Sequence, residues 1–262
     1  MDTVSSRDGT TIAFDEVGSG PPVILVGGAF QHRAFDPSTA DLAGRLSDRF
    51  TVLHYDRRGR GDSGDDGSYA VEREIEDLDA LITHAGGSAY LYGSSSGGNL
   101  ALEAAERGLQ VTKLALWEPN FLVDDSRPPL PDDYVAQLEE RVAAGSRGDA
   151  VEYFMTTAVG LPAEYLGPMR DSPMWPGMEL VAHTLAYDGR IVNGFRLDAD
   201  RVAAVAAPTL VMDGGQRPWL SSGAEALAAA LPNGAHRRLE GQEHGPSSEA
   251  IAPVLLEFFE TG

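Results

Sequence analysis

The sequence predicts an α/β fold in which a mostly parallel sheet is flanked by helices. Short apolar runs alternate with amphipathic, helix-like stretches, which is the pattern of strands joined by crossover helices. With 262 residues and an apolar fraction of 42%, the chain is long enough for one large domain with its own core. We therefore expect a single domain over 1–262. The runs that predict strands are Thr11–Val17, Val23–Val26, Thr51–Tyr55, Ala89–Tyr92, Lys113–Trp117, Thr209–Met212 and His236–Leu239.

Capping and breaking residues mark the helices between these runs. Asp36 or Ser38 predicts the start of a helix that runs to about Arg49. Two further helices, Glu72–Ala85 and Ser96–Arg107, are each followed by glycine, which commonly ends a helix. Each of these helices connects two consecutive strands, as a parallel sheet requires.

The pattern changes after the run that ends at Trp117. For roughly ninety residues the chain carries helical periodicity and Pro/Gly breaks without a strand-like run. Tyr134–Ala144 and Ala150–Val159 are amphipathic at helical spacing. The sequence therefore predicts a helical cap at 121–200, inserted within the single domain.

Net charge limits the partners. The chain has 20 Lys and Arg against 40 Asp and Glu, a formal net charge of −20. Such a field repels phosphate backbones, so we expect no nucleic-acid partner. It favours neutral or cationic small molecules over coenzyme A thioesters, although local arginines would reverse that preference.

Cysteine and histidine usage argues against a metal site. The chain has no cysteine, and its six histidines show no metal-binding spacing such as HExxH. The N-terminus has no signal-peptide pattern, and the longest nearly apolar run, Val202–Met212, is too short to cross a bilayer. We expect a cytoplasmic protein without a metal or a membrane partner that acts on a small molecule. The sequence does not indicate its oligomeric state.

One strand–turn–helix segment carries a nucleophile pattern. The run Ala89–Tyr92 continues into GSSSG and then into a helical pattern, the context of a G-x-S-x-G nucleophile elbow. The strained turn needs small residues two positions either side of the serine, and Gly93 and Gly97 supply them around Ser95. A motif register shifted by one residue would make Ser96 the nucleophile, flanked by Ser94 and Gly98. That register places a serine where the tighter position of the turn favours glycine. The alternatives are a Ser/Gly-rich turn with no chemistry and a phosphate-binding loop.

Two other segments complete a candidate site. Glycines after the run Val23–Val26 predict a backbone that exposes the Ala29 N–H, which with the Ser96 N–H would form an oxyanion hole. A glycine turn explains this segment equally well when it is taken alone. His244 follows the last predicted strand, where a general base is expected. We interpret the other histidines as structural: His32, His54, His84, His183 and His236.

Taken together, these motifs resemble the α/β-hydrolase superfamily over nearly the whole chain, in the manner of a serine esterase or lipase with a helical cap. The resemblance implies an eight-stranded mostly parallel sheet, a cap after strand six and a Ser-acid-His triad that needs no cofactor. In such proteins the DRRGRGDS segment is usually a structural turn, although its arginines could bind an anionic substrate. The residues that carry the resemblance are Asp8-Gly9-Thr10, Gly27-Gly28, Asp56–Ser63, the Ser95 elbow, Pro208–Val211 and His244.

The triad acid departs from the usual pattern. Most relatives place it after strand seven, where this chain has Arg217. Two carboxylates fit the chain order: Glu118 directly after strand six and Asp213 at the end of strand seven. Members that resemble haloalkane dehalogenases place the acid after strand six, which favours Glu118. Glu118 as a surface carboxylate and Asp213 as an Asp-Gly turn residue are the structural alternatives.

The expected reaction is hydrolysis of a carboxylic ester, lactone or thioester of a small, largely apolar molecule. Ser95 would attack the carbonyl, His244 would take its proton and Glu118 would orient His244. The alternatives are a cofactor-free, non-hydrolytic enzyme such as a cyclase, and an inactive relative that only binds its ligand. The residues predicted to line the substrate pocket are Phe30, Met155, Met174, Trp175 and Met178.

Overall fold

The computed structural model describes residues 1–261. Its eight-stranded sheet has the order β1-β2-β4-β3-β5-β6-β7-β8. β2 runs antiparallel to both of its neighbours, and every other neighbouring pair is parallel. The predicted α/β class and mostly parallel sheet are confirmed. The strands are β1 (Asp2–Ser5), β2 (Thr11–Gly18), β3 (Pro22–Val26), β4 (Thr51–Tyr55), β5 (Ala89–Ser94), β6 (Val111–Trp117), β7 (Thr209–Asp213) and β8 (Gly234–Arg238).

Helices connect the parallel strands and begin at capping residues. The Asp36 side chain accepts a hydrogen bond from Ser38 N at 3.0 Å, which caps α1 and agrees with one of the two predicted starts. The α-helices are α1 (Pro37–Leu46), α2 (Val71–His84), α3 (Ser96–Glu106), α4 (Tyr134–Ala143), α5 (Arg147–Thr157), α6 (Leu166–Arg170), α7 (Trp175–Leu180), α8 (Leu185–Val192), α9 (Ala199–Val202), α10 (Pro218–Ala230) and α11 (Ser248–Glu260). Across residues 1–261, no helix is both long and apolar enough to span a membrane.

The two faces of the sheet bury separate hydrophobic clusters. Alternate residues of a strand point to opposite faces, so Ile24 packs in one cluster and its neighbour Leu25 in the other. The first cluster lies under α2, α3 and α10, and the second lies under α1 and α11. Because β3 to β8 run parallel to one another, their carboxyl ends meet at one edge of the sheet, where ligands bind in sheets of this type.

The chain between β6 and β7 carries α4 to α9, and residues 118–208 form no strand. We call this segment the insertion. It has its own hydrophobic cluster, which includes Leu138, Val151 and Leu185. Phe30 and Trp219 from the sheet domain pack against that cluster. The insertion therefore sits over the carboxyl edge of the sheet.

Three buried arginines of the DRRGRGDS turn form ion pairs. Arg57 donates to Glu74 and to Asp188 at 2.7 Å each, and Arg60 donates to the same Asp188 at 2.6 Å. Burial alone would raise the pKa of Asp188, but Arg60 and Arg57 outweigh it and hold the pKa below its usual value. Arg58 pairs with Asp77 at 2.7 Å. All three guanidiniums are occupied by carboxylates of the fold.

Lys113 is the only lysine of the chain, and it joins the sheet to the last helix. Lys113 is 9% exposed. The ammonium of this β6 residue donates to the carbonyl oxygens of Phe258 at 2.8 Å and Phe259 at 3.3 Å. These carbonyls belong to the last turn of α11, the negative end of the helix dipole. The charge thereby ties β6 to α11.

Candidate active site

Ser95 lies at the turn between β5 and α3 in a strained backbone conformation. Its φ of 54° and ψ of −128° are rare for a residue with a side chain. A Cβ at Gly93 would lie 2.5 Å from the carbonyl oxygen of Gly97. A Cβ at Gly97 would lie within 3.0 Å of the carbonyl oxygens of Val26 and Gly27. The turn therefore requires both glycines, as the elbow pattern predicts.

Two of the three consecutive serines of the elbow, Ser95 and Ser96, have different surroundings. Ser95 Oγ donates to Asn120 Oδ1 at 3.3 Å and lines the cavity described below. Ser96 is buried, and its Oγ donates to Asp188 Oδ1 at 2.7 Å. The Ser96 hydroxyl is thus already hydrogen-bonded to a buried carboxylate. Of the two serines considered as nucleophile, Ser95 is the one without such a partner.

Asn120 is a site residue that the sequence did not reveal. Its backbone N–H donates to Asn99 Oδ1 at 2.8 Å, and Asn99 Nδ2 donates back to the Asn120 carbonyl at 3.3 Å. This pair holds the segment after β6 against α3, so that the Asn120 side chain reaches Ser95. No local pattern marks an asparagine for this position, because the contact depends on two segments meeting in space.

Glu118 is the carboxylate that contacts His244. His244 Nδ1 lies 2.6 Å from Glu118 Oε2, and Gly214 N donates to Glu118 Oε1 at 3.1 Å. Glu118 is 1% exposed and has a positive φ of 42° at the end of β6. Trp117 Nε1 donates to the His244 carbonyl at 2.9 Å. The imidazole is held through Nδ1, and its Nε2 makes no hydrogen bond to the described residues.

Asp213, the other candidate acid, is occupied by different partners. It is 0% exposed, and its Oδ2 lies 2.6 Å from His236 Nε2. Its Oδ1 accepts from Ser221 Oγ at 2.6 Å and from Arg238 Nε at 3.0 Å. Burial would raise the pKa of Asp213, but these hydrogen bonds outweigh it and keep the pKa low. The carboxylate joins β7 to β8 and α10.

Two backbone N–H groups lie beside Ser95 without competing acceptors. Ser96 is the first residue of α3, so its N–H has no acceptor within that helix. The Ala29 N–H makes no hydrogen bond to any described residue. A Cβ at Gly28 would lie 3.1 Å from Ser95 Cβ, so the loop after β3 passes directly against the elbow. The Ser96 N–H at the N-terminus of α3 and the Ala29 N–H of the loop after β3 can stabilise a developing negative charge.

A cavity of about 330 Å³ lies between the carboxyl edge of the sheet and the insertion. Ser95, His244, Asn120 and Ala29 all line it. Ordinary ligand sites have this size and this mainly apolar character. The apolar side chains in its wall include Leu25, Phe30, Phe154, Met155, Met178, Val192, Phe195, Trp219, Leu220 and Ile251.

Two of the predicted lining residues lie elsewhere. Phe30, Met155 and Met178 line the cavity, whereas Met174 and Trp175 do not. Met174 precedes the first residue of α7, and it is 54% exposed. Trp175 is buried within the hydrophobic cluster of the insertion. The prediction for these two was wrong because the start and rotation of a short helix follow from packing rather than from local sequence.

Comparisons with known proteins show which sequences and folds resemble this chain. A family model described as the alpha/beta hydrolase family matches residues 23–254. A 2-(acetamidomethylene)succinate hydrolase of Mesorhizobium japonicum is 29% identical over 234 residues, which cover 84% of this chain and 80% of that protein. A non-heme haloperoxidase of Rhodococcus erythropolis is 24% identical over 284 residues and covers 100% of both.

Among solved structures, an alpha/beta hydrolase from Sphaerobacter thermophilus has a TM-score of 0.92 and 54% identity. The match covers 98% of this chain and 100% of that one.

Proposed function

The chain belongs to the alpha/beta hydrolase family, and we propose that it hydrolyses a carboxylic ester, lactone or thioester of a small, largely apolar molecule. The observation that carries the proposal is the meeting of three groups at one cavity. These are a strained elbow serine, a histidine held by a buried glutamate at 2.6 Å, and two unpaired backbone N–H groups. This is the set of groups that acyl transfer to water needs.

In the proposed mechanism Ser95 Oγ attacks the carbonyl carbon and His244 Nε2 takes the hydroxyl proton. Glu118 stabilises the imidazolium and holds its orientation. The oxyanion of the tetrahedral intermediate accepts hydrogen bonds from the Ala29 and Ser96 N–H groups. Collapse of the intermediate expels the alcohol or thiol, which takes the proton from His244. Water, activated by His244, then hydrolyses the acyl-enzyme on Ser95.

The Ser95 hydroxyl donates to Asn120 Oδ1 at 3.3 Å and makes no hydrogen bond to His244. Rotation about the Ser95 Cα–Cβ bond changes this partner without moving the backbone, and catalytic hydrogen bonds often tighten only when substrate binds. We therefore assign Asn120 the role of orienting the Ser95 hydroxyl.

The relatives support hydrolysis as the reaction class. One is named a hydrolase of 2-(acetamidomethylene)succinate, and the relative at 54% identity is described as an alpha/beta hydrolase. The haloperoxidase name shows that non-hydrolytic activities are also attributed to similar chains. A non-hydrolytic enzyme and an inactive binding protein remain the alternatives that the experiment must separate.

Fluorophosphonate labelling with peptide mass mapping tests the nucleophile. We expect label on Ser95 in the wild type and in Asp213→Asn, much slower labelling in Glu118→Gln, and none in Ser95→Ala. Turnover of simple esters should follow the same order. Label on Ser96, or ester turnover that survives Ser95→Ala, would contradict the proposal. Absence of both label and turnover would favour a non-hydrolytic enzyme or a ligand-binding protein.

A further inference from the structure

One cation in the wall of the cavity has no carboxylate partner. Of the charged side chains that line the cavity, Asp188 lies between two arginines and His244 contacts Glu118. Arg217 lines the same cavity, and no carboxylate of residues 1–261 lies within 4.0 Å of its guanidinium.

The Arg217 side chain is anchored at one nitrogen and otherwise open. It is half-buried and lies directly before α10, and its Nη1 donates to the Val159 carbonyl of the insertion at 3.2 Å. The other guanidinium nitrogens make no hydrogen bond within the described chain. One contact therefore orients a planar group whose remaining N–H donors are available to a ligand.

A second arginine adds positive potential at this side of the cavity. Arg127 donates to the carbonyl oxygens of Ala158 at 2.7 Å and Thr157 at 2.8 Å, and its guanidinium lies 4.7 Å from the Trp219 ring centre. Burial and then the positive charge of Arg217 lower the pKa of Arg127. Carbonyl oxygens satisfy Arg127, so Arg217 is the arginine that retains free donors.

Because Glu118, and not a residue after β7, contacts His244, an arginine can occupy position 217. The family resemblance implies an acid after strand seven, where this chain has Arg217, whereas His244 contacts Glu118 at the end of β6. The position after β7 is thereby released from orienting the histidine, while its side chain still faces the cavity that Ser95 lines. A half-buried cation in an apolar wall is stabilised when an anion binds beside it.

We propose that Arg217 binds a carboxylate of the substrate, so that the preferred substrate is an ester, lactone or thioester that also carries a carboxylate on an otherwise apolar skeleton. This inference rests on the proposed hydrolase function. It reverses the preference for neutral or cationic molecules that net charge alone predicts. A guanidinium can donate two parallel N–H bonds to one carboxylate, which fixes orientation as well as charge.

Matched esters test the specificity. The monomethyl esters of succinate, glutarate and adipate each differ from the dimethyl ester only in one free carboxylate, and methanol release gives kcat/KM for both. In the wild type we expect kcat/KM for the best monomethyl ester to be at least about tenfold higher than for its dimethyl ester. In Arg217→Gln we expect the two values of kcat/KM to be equal. Arg217→Lys should keep part of the ratio between the two values. Exposed Arg196, outside the cavity lining, gives the control variant Arg196→Gln, which should keep the ratio.

A binding measurement separates this inference from the proposed function. Calorimetric titration of the same monomethyl esters into Ser95→Ala should give affinity that falls at least about tenfold on adding Arg217→Gln and not on adding Arg196→Gln. If binding depends on Arg217 but neither ester is cleaved and Ser95 takes no fluorophosphonate label, the anion site stands and the hydrolase proposal fails. If esters are cleaved on Ser95 without preference for the carboxylate, or binding ignores Arg217, the anion site is wrong.

Discussion

Asp188 Oδ1 accepts a hydrogen bond from Ser96 Oγ at 2.7 Å, which links helix α8 of the insertion to the residue directly after the elbow serine. The same carboxylate also accepts from Arg57 at 2.7 Å and from Arg60 at 2.6 Å. Asp188 lies 92 residues from Ser96 and 131 from Arg57 along the chain. One buried carboxylate therefore ties the DRRGRGDS turn, the elbow and the insertion together.

We expect Asp188→Asn to destabilise the protein by about 3–5 kcal/mol, because it leaves Arg60 and part of the charge of Arg57 buried without compensation. Urea denaturation measures the change. Glu257→Gln removes a carboxylate from the exposed pair with Arg237 and is the matched control, with a much smaller effect expected. Similar losses in the two variants would mean that Asp188 adds nothing beyond an ordinary surface pair.

Glu118→Gln should lower kcat by about 10³- to 10⁴-fold with little change in fold, because the amide cannot stabilise the imidazolium. Steady-state ester hydrolysis measures this effect, and circular dichroism checks the fold. Asp213→Asn is the informative counterpart. Its partners are His236, Ser221 and Arg238, so it should lose thermal stability while folded protein retains its turnover. The reverse pattern would assign the acid role to Asp213.

Glu106 should make stability depend on pH. Burial raises the pKa of Glu106 from 4.5 to about 7, with Arg201 opposing the shift and Glu103 adding to it. The folded state then binds a proton more tightly than the unfolded state, so this contribution is complete below about pH 4.5 and is lost as the pH rises through about 7.

The variant Glu106→Gln mimics the protonated side chain, which is 9% exposed in the wild type. Its melting temperature should exceed that of the wild type at about pH 8, and the difference should shrink toward about pH 5. A difference that stays constant across this range would show that Glu106 titrates alike in the folded and unfolded states.

Tyr134→Phe should raise stability by about 1 kcal/mol or leave it unchanged. The Tyr134 hydroxyl is buried and has no hydrogen-bond partner in the described structure, and an unmade bond of this kind is costly. Thermal unfolding measures the effect. Tyr187→Phe is the control, since it removes a hydroxyl that donates to Asp65 at 2.7 Å and should not stabilise. A marked loss in Tyr134→Phe would reveal a partner for that hydroxyl.

The sequence predicted best what local chemistry dictates. The sheet class follows from periodicity, and the strained turn at Ser95 follows from the glycines that its close backbone contacts require. The choice between Glu118 and Asp213 stayed open because both fit the chain order, and only the packing of β7 against β8 brings His236 to Asp213. Arg60 and Asp188 meet across 128 residues, and no local pattern encodes that distance.

The burial of Lys113 has a practical consequence for handling the protein. Because the sole lysine ammonium lies against the end of α11, amine-reactive dyes should label the Lys113 side chain slowly while the protein is folded. Labelling of Lys113 would therefore report the release of α11 from β6.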